Sequence, residues 1–325
     1  MNKKTLVALL FFSTLVLIFG IFDQEDKYLQ KKGNIFGTTF SITVKNIEDE
    51  KFEIIFKEVI SILNNIDNTA SNYKVNSEVS KFNRLDVNKI HKMSEDFSRL
   101  IFLSDKVYSL TDGYFDVTIN NVFSNYKFYG DKNKITPVNN TFQDLSFDFK
   151  KNIIFKKNKK LTISLSGIAK GYAVDKLSEY LKQEGLESFL INIGGDLSAY
   201  GNTPWLIEIE NPVIPHKYES VNIKNMSIAS SGTYKNIVKG ENKNYSHIID
   251  PKSNVPIIDG GKLVSVIEEN CAEADAIATG LLAMNIKDII KFSDENNIAS
   301  MLIYKADNNF VKKYSKNFKK YLISE

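Results

Sequence analysis

The sequence predicts an α+β fold, because segments with strand patterns and segments with helix patterns are mixed along most of the chain. Thr38–Val44 alternates apolar and polar residues, which is typical of a strand with one buried face. Between Phe52 and Ile66, apolar residues recur every three or four positions, which predicts a long amphipathic helix. No flexible linker and no repeat of fixed period divides the chain. We therefore expect one compact unit.

The remaining elements follow in chain order. A second helix is predicted to begin after Ser94, whose hydroxyl suits an N-cap, and to end near Gly113. Ile153–Phe155 and Leu161–Leu165 flank a lysine-rich run, which predicts a hairpin with a charged turn. Further along, the patterns predict a helix over Lys170–Glu184, strands over Phe189–Ile193, Trp205–Glu210, Val221–Ile228 and Leu263–Ile267, helices over Ala272–Met284 and Asp288–Asn296, and a last strand over Ala299–Tyr304.

The composition excludes several classes of protein. The 325 residues include 42 basic and 39 acidic side chains, and the formal net charge of +3 is too balanced for binding nucleic acid through many phosphates. The single cysteine, Cys271, excludes an internal disulfide and a multi-cysteine metal site. The three histidines (His91, His216 and His247) argue against a His-rich zinc or copper site. Any bound metal is therefore expected to have hard oxygen ligands.

Residues 1–22 differ in composition from the rest of the chain. Lys3 and Lys4 precede a nearly continuous apolar run over Thr5–Phe22, and acidic residues return at Asp23. A helix of that length spans about 27 Å, close to a bilayer core. Lysines before the run favour a cytoplasmic N-terminus and an exported, periplasmic body over residues 23–325. We expect an uncleaved membrane anchor over 1–22, with a cleaved signal peptide or a buried helix as alternatives. No cysteine stands directly after the run, which excludes a lipoprotein.

Two segments combine glycine, small residues and isolated polar groups in a way that suits chemistry. Ser166–Tyr172 follows a strand pattern and opens a helix, so its backbone N–H groups and Lys170 suit an anion. Asp275 and Thr279 are four residues apart and share one helical face, where a carboxylate and a hydroxyl suit Mg²⁺. Each segment is also compatible with a purely structural role.

Three further segments carry weaker signals. His247 stands beside an apolar pair and before an Asp-Pro turn, which suits an acid–base, binding or structural role. A small hydroxyl-rich loop is predicted over residues 228–234. Tyr114 and Phe115 lie between two carboxylates just past the second predicted helix, where they either stack on a planar ring or only end the helix.

Taken together and in this order, these segments resemble the ApbE-type family, the FAD:protein FMN transferases. The resemblance covers most of the predicted body, and each block is weak alone, whereas eight blocks in the family's order are specific. The blocks are Phe36–Phe40, Ser71–Lys74 with Ser77–Asn83, Gly113–Thr118, Gly167–Asp175, Asn192–Asp196, Ser230–Gly232, His247–Pro251 and Ala274–Thr279.

The resemblance implies a T-fold-like α+β architecture and an exported enzyme. Family members bind FAD with Mg²⁺, cleave its pyrophosphate, attach FMN to a Thr or Ser of a partner flavoprotein, often an electron-transfer subunit, and release AMP. Carried over by position, it implies Asp275, Thr279 and the Gly167 carbonyl as Mg²⁺ ligands, with His247 and Asp275 as catalytic residues. It also implies FAD contacts at Phe36, Tyr73, Tyr114, Phe115, Asp116, Ser164, Lys170, Ile248 and Ile249.

This sequence departs from the family pattern at three positions. Ser164 stands where many members have an aspartate, so one carboxylate near the cofactor is missing. Phe36 replaces a common methionine and remains apolar, and Ala278 replaces an aspartate that some relatives carry beside the metal. The alternatives to a transferase are a pyrophosphatase that releases free FMN and AMP, a flavin-binding protein without turnover, and an anchored interaction domain without cofactor.

Overall fold

The structure is a computed structural model that describes residues 26–119, 142–212, 214, 218–234, 238–239, 244–258, 262–306 and 309–323. The side chains of residues 238, 239, 244, 245, 247 and 258 lie outside that description. The predicted anchor over residues 1–22 also lies outside the described residues. Among the helices that are described, none combines the length and the apolar character needed to cross a membrane.

An eight-stranded antiparallel sheet runs through the centre of the fold. In spatial order its strands are β1 (Tyr28–Ile35), β2 (Thr38–Lys45), β6 (Phe189–Ile193), β7 (Asp196–Tyr200), β10 (Met226–Gly232), β14 (Leu263–Glu268), β15 (Ala299–Ala306) and β16 (Asn309–Tyr314). The register pairs Phe40 of β2 with Ile193 of β6, and Ser231 of β10 with Val264 of β14. This register sets which side chains of neighbouring strands face the helices.

Three smaller sheets and six α-helices complete the described part. One sheet has the order β3 (His91–Lys92), β5 (Ile153–Lys156), β4 (Leu145–Asp148), another β11 (Val238–Lys239), β12 (Asn244–Asp250), β13 (Val255–Ile258), and the last pairs β8 (Trp205–Glu210) with β9 (Tyr218–Ile223). The helices are α1 (Asp49–Ala70), α2 (Glu78–Arg84), α3 (Glu95–Leu110), α4 (Ala169–Gln183), α5 (Cys271–Ala283) and α6 (Ile289–Glu295).

The helices form where the sequence patterns place them. The apolar stripe of α1 is buried along its whole length, from Phe52 to Ile66. The hydroxyl of Ser94 accepts a hydrogen bond from the backbone N–H of Phe97 at 3.2 Å, which confirms the predicted N-cap of α3. Helix α5 differs from the others because nearly all of its side chains are buried, so it runs through the interior.

The central sheet separates two hydrophobic clusters. Val264 and Val266 of β14 belong to the larger cluster, whereas Leu263 and Ile267 belong to the smaller one. Because successive side chains of a strand point to opposite faces, the two clusters lie on opposite sides of the sheet. Helices α1, α4 and α5 contribute to the larger cluster, while β8, β9 and Phe318 contribute to the smaller one. Burial on both faces explains why residues 263–267 of β14 are all buried and, apart from Ser265, all apolar.

The predicted hairpin between Ile153–Phe155 and Leu161–Leu165 is wrong. Strand β5 pairs with β3 and β4, and residues 161–165 form no strand. The alternating apolar side chains of that segment are fully buried, but its backbone bonds to asparagine side chains instead. The amides of Asn72 and Asn83 both donate to the carbonyl of Ile163 at 2.9 Å. Apolar alternation therefore reported burial there and not strand pairing.

Two other predictions about local structure are corrected near β10. The predicted strand over Val221–Ile228 is divided between β9 and β10 by a turn in which Asn225 has a φ of 53°. The hydroxyl-rich segment predicted as a loop over 228–234 is strand as far as Gly232, because its backbone pairs with β14. Ser230 and Ser231 consequently lie in the central sheet and not in a loop.

Candidate active site

The side chain of Lys170 lies between two buried carboxylates. Its Nζ is 2.5 Å from Oδ2 of Asp196 and 3.0 Å from Oδ2 of Asp275. The side chains of Asp196 and Asp275 are 1% and 3% exposed, whereas that of Lys170 is 29% exposed. Lys170 opens α4, Asp196 opens β7 and Asp275 lies in the second turn of α5. Three elements distant in sequence therefore converge on one charged cluster.

The charges in this cluster depend on one another. Burial disfavours the charged form of Lys170, but the two carboxylates outweigh burial and raise the pKa of this lysine. Burial, together with the negative charge of Asp275, raises the pKa of Asp196. With both carboxylates ionised, the cluster carries a formal charge of −1. A cluster of this kind attracts a further cation.

Helices α4 and α5 cross at close range beside the cluster. A Cβ atom at Gly171 would lie 2.3 Å from the carbonyl oxygen of Cys271, so only glycine fits there. The backbone N–H of Gly171 donates to Oδ2 of Asp275 at 3.3 Å. The carboxylate of Asp175 accepts hydrogen bonds from the N–H groups of Cys271 and Ala272 at 2.7 and 2.9 Å, which caps α5. Helix α4 thus fixes the position of Asp275.

The turn before α4 brings Gly167 against Thr279. A Cβ atom at Gly167 would lie 3.4 Å from Oγ1 of Thr279 and 3.3 Å from Cε2 of Phe115. Thr279 lies one turn after Asp275 on α5, as their spacing predicts. Its hydroxyl is also 3.0 Å from the hydroxyl of Ser231 on β10. The structure therefore brings together Gly167, Asp275 and Thr279.

The oxygen atoms gathered here fit a hard divalent cation. Asp275 offers a carboxylate, Thr279 a hydroxyl and Gly167 a backbone carbonyl, and hard oxygen donors of these kinds would suit Mg²⁺ together with waters and phosphate oxygens. The ammonium of Lys170 beside Asp275 shows that the site already stabilises one positive charge. Across the described residues, no group of three or more His, Cys, Asp or Glu side chains forms an alternative metal site.

The aromatic segment after α3 packs against the turn that precedes α4. Phe115 is 4% exposed and packs against both Gly167 and Gly280, so it is a wall of the site and not a free stacking surface. Asp116 is also buried, and its Oδ1 accepts hydrogen bonds from the N–H and hydroxyl of Thr118, both at 2.7 Å. Burial raises the pKa of Asp116, against the effect of these hydrogen bonds.

Tyr114 faces the hairpin formed by β12 and β13. The ammonium of Lys252, in the turn of that hairpin, lies 5.4 Å from the centroid of the Tyr114 ring. Ile248 and Ile249 of β12 are 9% and 2% exposed. The same strand carries His247, whose side chain lies outside the described part of the chain. The structure thus brings Tyr114 close to this hairpin.

Three other predicted site residues, Ser164, Tyr73 and Phe36, lie in loops or turns. Ser164 donates its backbone N–H to the carbonyl of Val117 at 2.8 Å, and its hydroxyl is 3.1 Å from that of Ser166. Tyr73 is 81% exposed on the loop that also holds Ile163 through Asn72. Phe36 occupies the β1–β2 turn with a φ of 53°. Phe36 is partly buried and packs against the larger hydrophobic cluster.

Comparisons with known proteins identify the family. A family model described as the ApbE family matches residues 36–302. The chain belongs to the ApbE family. This ApbE-family chain is 30% identical to the FAD:protein FMN transferase of Haemophilus influenzae, across 98% of both chains. It is 31% identical to the protein of the same name from Buchnera aphidicola, across 93% of both chains.

Solved structures agree with the family. The flavin transferase ApbE from Vibrio cholerae superposes with a TM-score of 0.79 at 27% identity, over 92% of this chain and 100% of that one. The apo form of the flavinyl transferase ApbE from Pseudomonas stutzeri gives a TM-score of 0.81 at 27% identity, over 92% and 98% of the two chains. The predicted α+β architecture and the predicted class, a transferase of the ApbE family, are confirmed.

The sequence assigned no individual role to two polar residues that contact the predicted site residues of this ApbE-family chain. Asp196 and Ser231 fall within matching blocks, but their partners Lys170 and Thr279 are 26 and 48 positions away. The sequence marks these two positions only by an aspartate directly after a Gly-Gly turn and by a pair of serines in an apolar segment. Neither pattern indicates which side chain each residue contacts.

Lys262 completes the far end of α5 in the ApbE-family chain. It is 6% exposed, and its Nζ donates to the carbonyls of Leu282 and Met284 at 3.0 and 3.2 Å. These carbonyls belong to the last turn of the helix and to its C-cap residue, where a cation or an amine donor is favourable. Burial lowers the pKa of Lys262 from 10.5 to about 8.

We expect the free energy of unfolding to rise with pH above about 8 because of Lys262. Between pH 8 and 10.5 the unfolded chain binds the proton more tightly, so raising the pH favours the folded chain. Urea denaturation of wild type and Lys262→Met at pH 7–10 measures this. The wild-type value minus the variant value should increase by about 2 kcal/mol over that range. A constant difference would contradict the lowered pKa.

Proposed function

We propose that this chain is an FAD:protein FMN transferase that depends on Mg²⁺. The observation that carries the proposal is the convergence of Gly167, Asp275 and Thr279 beside Lys170, in a chain whose relatives bear that name. The substrates are FAD and an acceptor flavoprotein with a target Thr or Ser hydroxyl. An electron-transfer subunit would suit as acceptor. The products are AMP and the acceptor with FMN in phosphoester linkage.

The reaction exchanges one phosphorus–oxygen bond for another. The acceptor hydroxyl oxygen attacks the FMN phosphorus, the bond from that phosphorus to the AMP phosphate oxygen breaks, and the hydroxyl proton passes to a base. We propose His247 as that base, because it lies in β12, a strand that packs against α5 beside the site. Asp275, Thr279 and the Gly167 carbonyl would hold Mg²⁺, which neutralises charge on the phosphoryl oxygens when bound.

The protein's own groups account for substrate binding. The ammonium of Lys170, which is partly exposed, adds positive charge next to the phosphate site. The ring of Tyr73 is largely exposed and that of Tyr114 is half-buried, and either could contact a planar ring of FAD. Phe36 can cover an apolar ring edge. Phe115, Asp116, Ile248 and Ile249 are buried and would shape the pocket from behind.

The proposal is tested by mixing the enzyme with FAD, Mg²⁺ and a candidate acceptor domain. A fluorescent flavin band that survives denaturing electrophoresis is the expected result, together with one AMP per flavin attached. Free FMN and AMP without a protein-bound flavin would identify a pyrophosphatase instead. Unchanged FAD with several acceptors, from enzyme that is folded and binds FAD, would identify a binding protein. Omitting Mg²⁺ should abolish the band.

We also propose that residues 1–22 anchor the enzyme to the extracytoplasmic face of the cytoplasmic membrane. The support is the lysine pair followed by an apolar run of bilayer length in the sequence. The full chain should remain with membranes after an alkaline carbonate wash, whereas a chain that begins at Asp23 should be released. Release of the full chain by the wash would exclude an anchor.

A further inference from the structure

Asp196 makes the shorter of the two contacts with the Lys170 ammonium. The Nζ–Oδ2 distance is 2.5 Å to Asp196 and 3.0 Å to Asp275. Asp196 is 1% exposed and lies directly after the Gly194–Gly195 turn, so the backbone of β7 fixes its position. Asp275, by contrast, also receives the N–H of Gly171. The lysine is therefore shared unequally between a carboxylate with no other assigned role and a proposed metal ligand.

The bonds from Lys170 and Gly171 engage only one of the two carboxylate oxygens of Asp275. Lys170 and Gly171 both donate to Oδ2 of Asp275, so neither of these two bonds engages Oδ1. A carboxylate held in this way has a fixed orientation and a second oxygen for a cation. If Lys170 had only Asp275 as partner, its ammonium would neutralise that carboxylate and compete with a cation for it. The second carboxylate changes this balance.

We propose that Asp196 is a positioning residue that draws the Lys170 ammonium away from Asp275 and thereby keeps Asp275 available to a divalent cation. The inference rests on the proposed function, in which Asp275 is a Mg²⁺ ligand. In this arrangement Asp196 keeps the formal charge of the cluster at −1 and holds Lys170 beside the cation without displacing it. The lysine then remains in place to meet an anionic substrate.

The test measures Mn²⁺ binding to the FAD-free full chain in detergent, by the loss of the free-ion electron paramagnetic resonance signal. Asp196→Asn keeps the shape of the side chain, leaves Lys170 to pair with Asp275 alone and makes the cluster neutral. It should weaken Mn²⁺ binding at least tenfold. Mg²⁺ should displace bound Mn²⁺ from the wild-type chain. Wild-type affinity in Asp196→Asn would overturn the proposal.

A second variant separates positioning from direct ligation. Asp196→Asn combined with Lys170→Met removes the competing ammonium and restores the formal charge of −1. It should therefore recover Mn²⁺ affinity to within about threefold of wild type. The single variant Asp196→Asn, by contrast, should lose at least tenfold, which corresponds to about 1.4 kcal/mol. If the double variant binds as poorly as Asp196→Asn alone, then Asp196 is itself a ligand or only a structural residue, and the proposal fails.

Two controls isolate the inference from the proposed function. Glu273 lies on the same helix as Asp275, but its carboxylate pairs with Lys106 and not with Lys170. Glu273→Gln should therefore change Mn²⁺ affinity less than twofold. Asp275→Ala should abolish the site. If wild type and Asp275→Ala bind Mn²⁺ equally, the metal assignment of the proposed function is wrong. If only Asp275→Ala loses binding while Asp196→Asn retains it, the metal assignment stands and the role of Asp196 is wrong.

Discussion

Replacement of Asp275 by alanine is expected to reduce covalent flavin transfer at least a hundredfold. The carboxylate is the only charged group among the three proposed Mg²⁺ ligands, and removing it leaves a hydroxyl and a carbonyl. Loss of one preorganised group that stabilises charge developing in a transition state costs about 10²–10³ in rate in oxyanion-hole enzymes, and a metal ligand is expected to contribute at least as much. The rate is measured as the fluorescent flavin band formed per minute at saturating Mg²⁺ and FAD.

The loss in Asp275→Ala should not reflect unfolding. Lys170 keeps its shorter contact with Asp196, so no buried charge loses all of its partners. The variant should therefore still be folded and show a cooperative thermal unfolding transition. Asp86→Ala is a matched control, because its carboxylate is 70% exposed and pairs only loosely with Lys159. It should retain full activity. Full activity in Asp275→Ala would refute the metal assignment.

The largest effect on stability is expected from Gly171→Ala. The added Cβ would lie 2.3 Å from the carbonyl oxygen of Cys271 and 2.7 Å from Cα of Ala272, and both are backbone atoms that cannot rotate away. Helices α4 and α5 must separate to admit it. We expect the free energy of unfolding to fall by about 2–3 kcal/mol, near the upper end for overpacking of a core. Urea denaturation at pH 7 measures this.

The Gly171 variant should also impair the site, since α5 carries both Asp275 and Thr279. Its movement would lengthen the bond from the Gly171 N–H to Asp275 and disturb the cap that Asp175 provides. Glu179→Ala on the exposed face of the same helix is the control, and it should alter the free energy of unfolding by less than about 0.5 kcal/mol. Equal stability of Gly171→Ala and wild type would show that the two helices can separate without cost.

Local patterns predicted most elements because they depend on neighbours in sequence. The stripe of α1 and the cap at Ser94 are decided within one or two helical turns. The spacing of Asp275 and Thr279 likewise placed both on one face of α5. The strand prediction at Leu161–Leu165 failed because burial alone gives the same alternation as strand pairing, and the pattern does not reveal that Asn72 and Asn83 bind the backbone of this segment.

The sequence by itself determined the α+β class and the ApbE family, because ordered motifs suffice for these, and its composition predicts hard oxygen ligands for any bound metal. Tertiary structure alone decided that Lys170 lies between Asp196 and Asp275 and that Ser231 meets Thr279. It also decided that most of the hydroxyl-rich segment, which was predicted as a loop, lies in strand β10. The physical reason is that these contacts join residues from different elements, and their distances depend on how α4, α5 and the central sheet pack together.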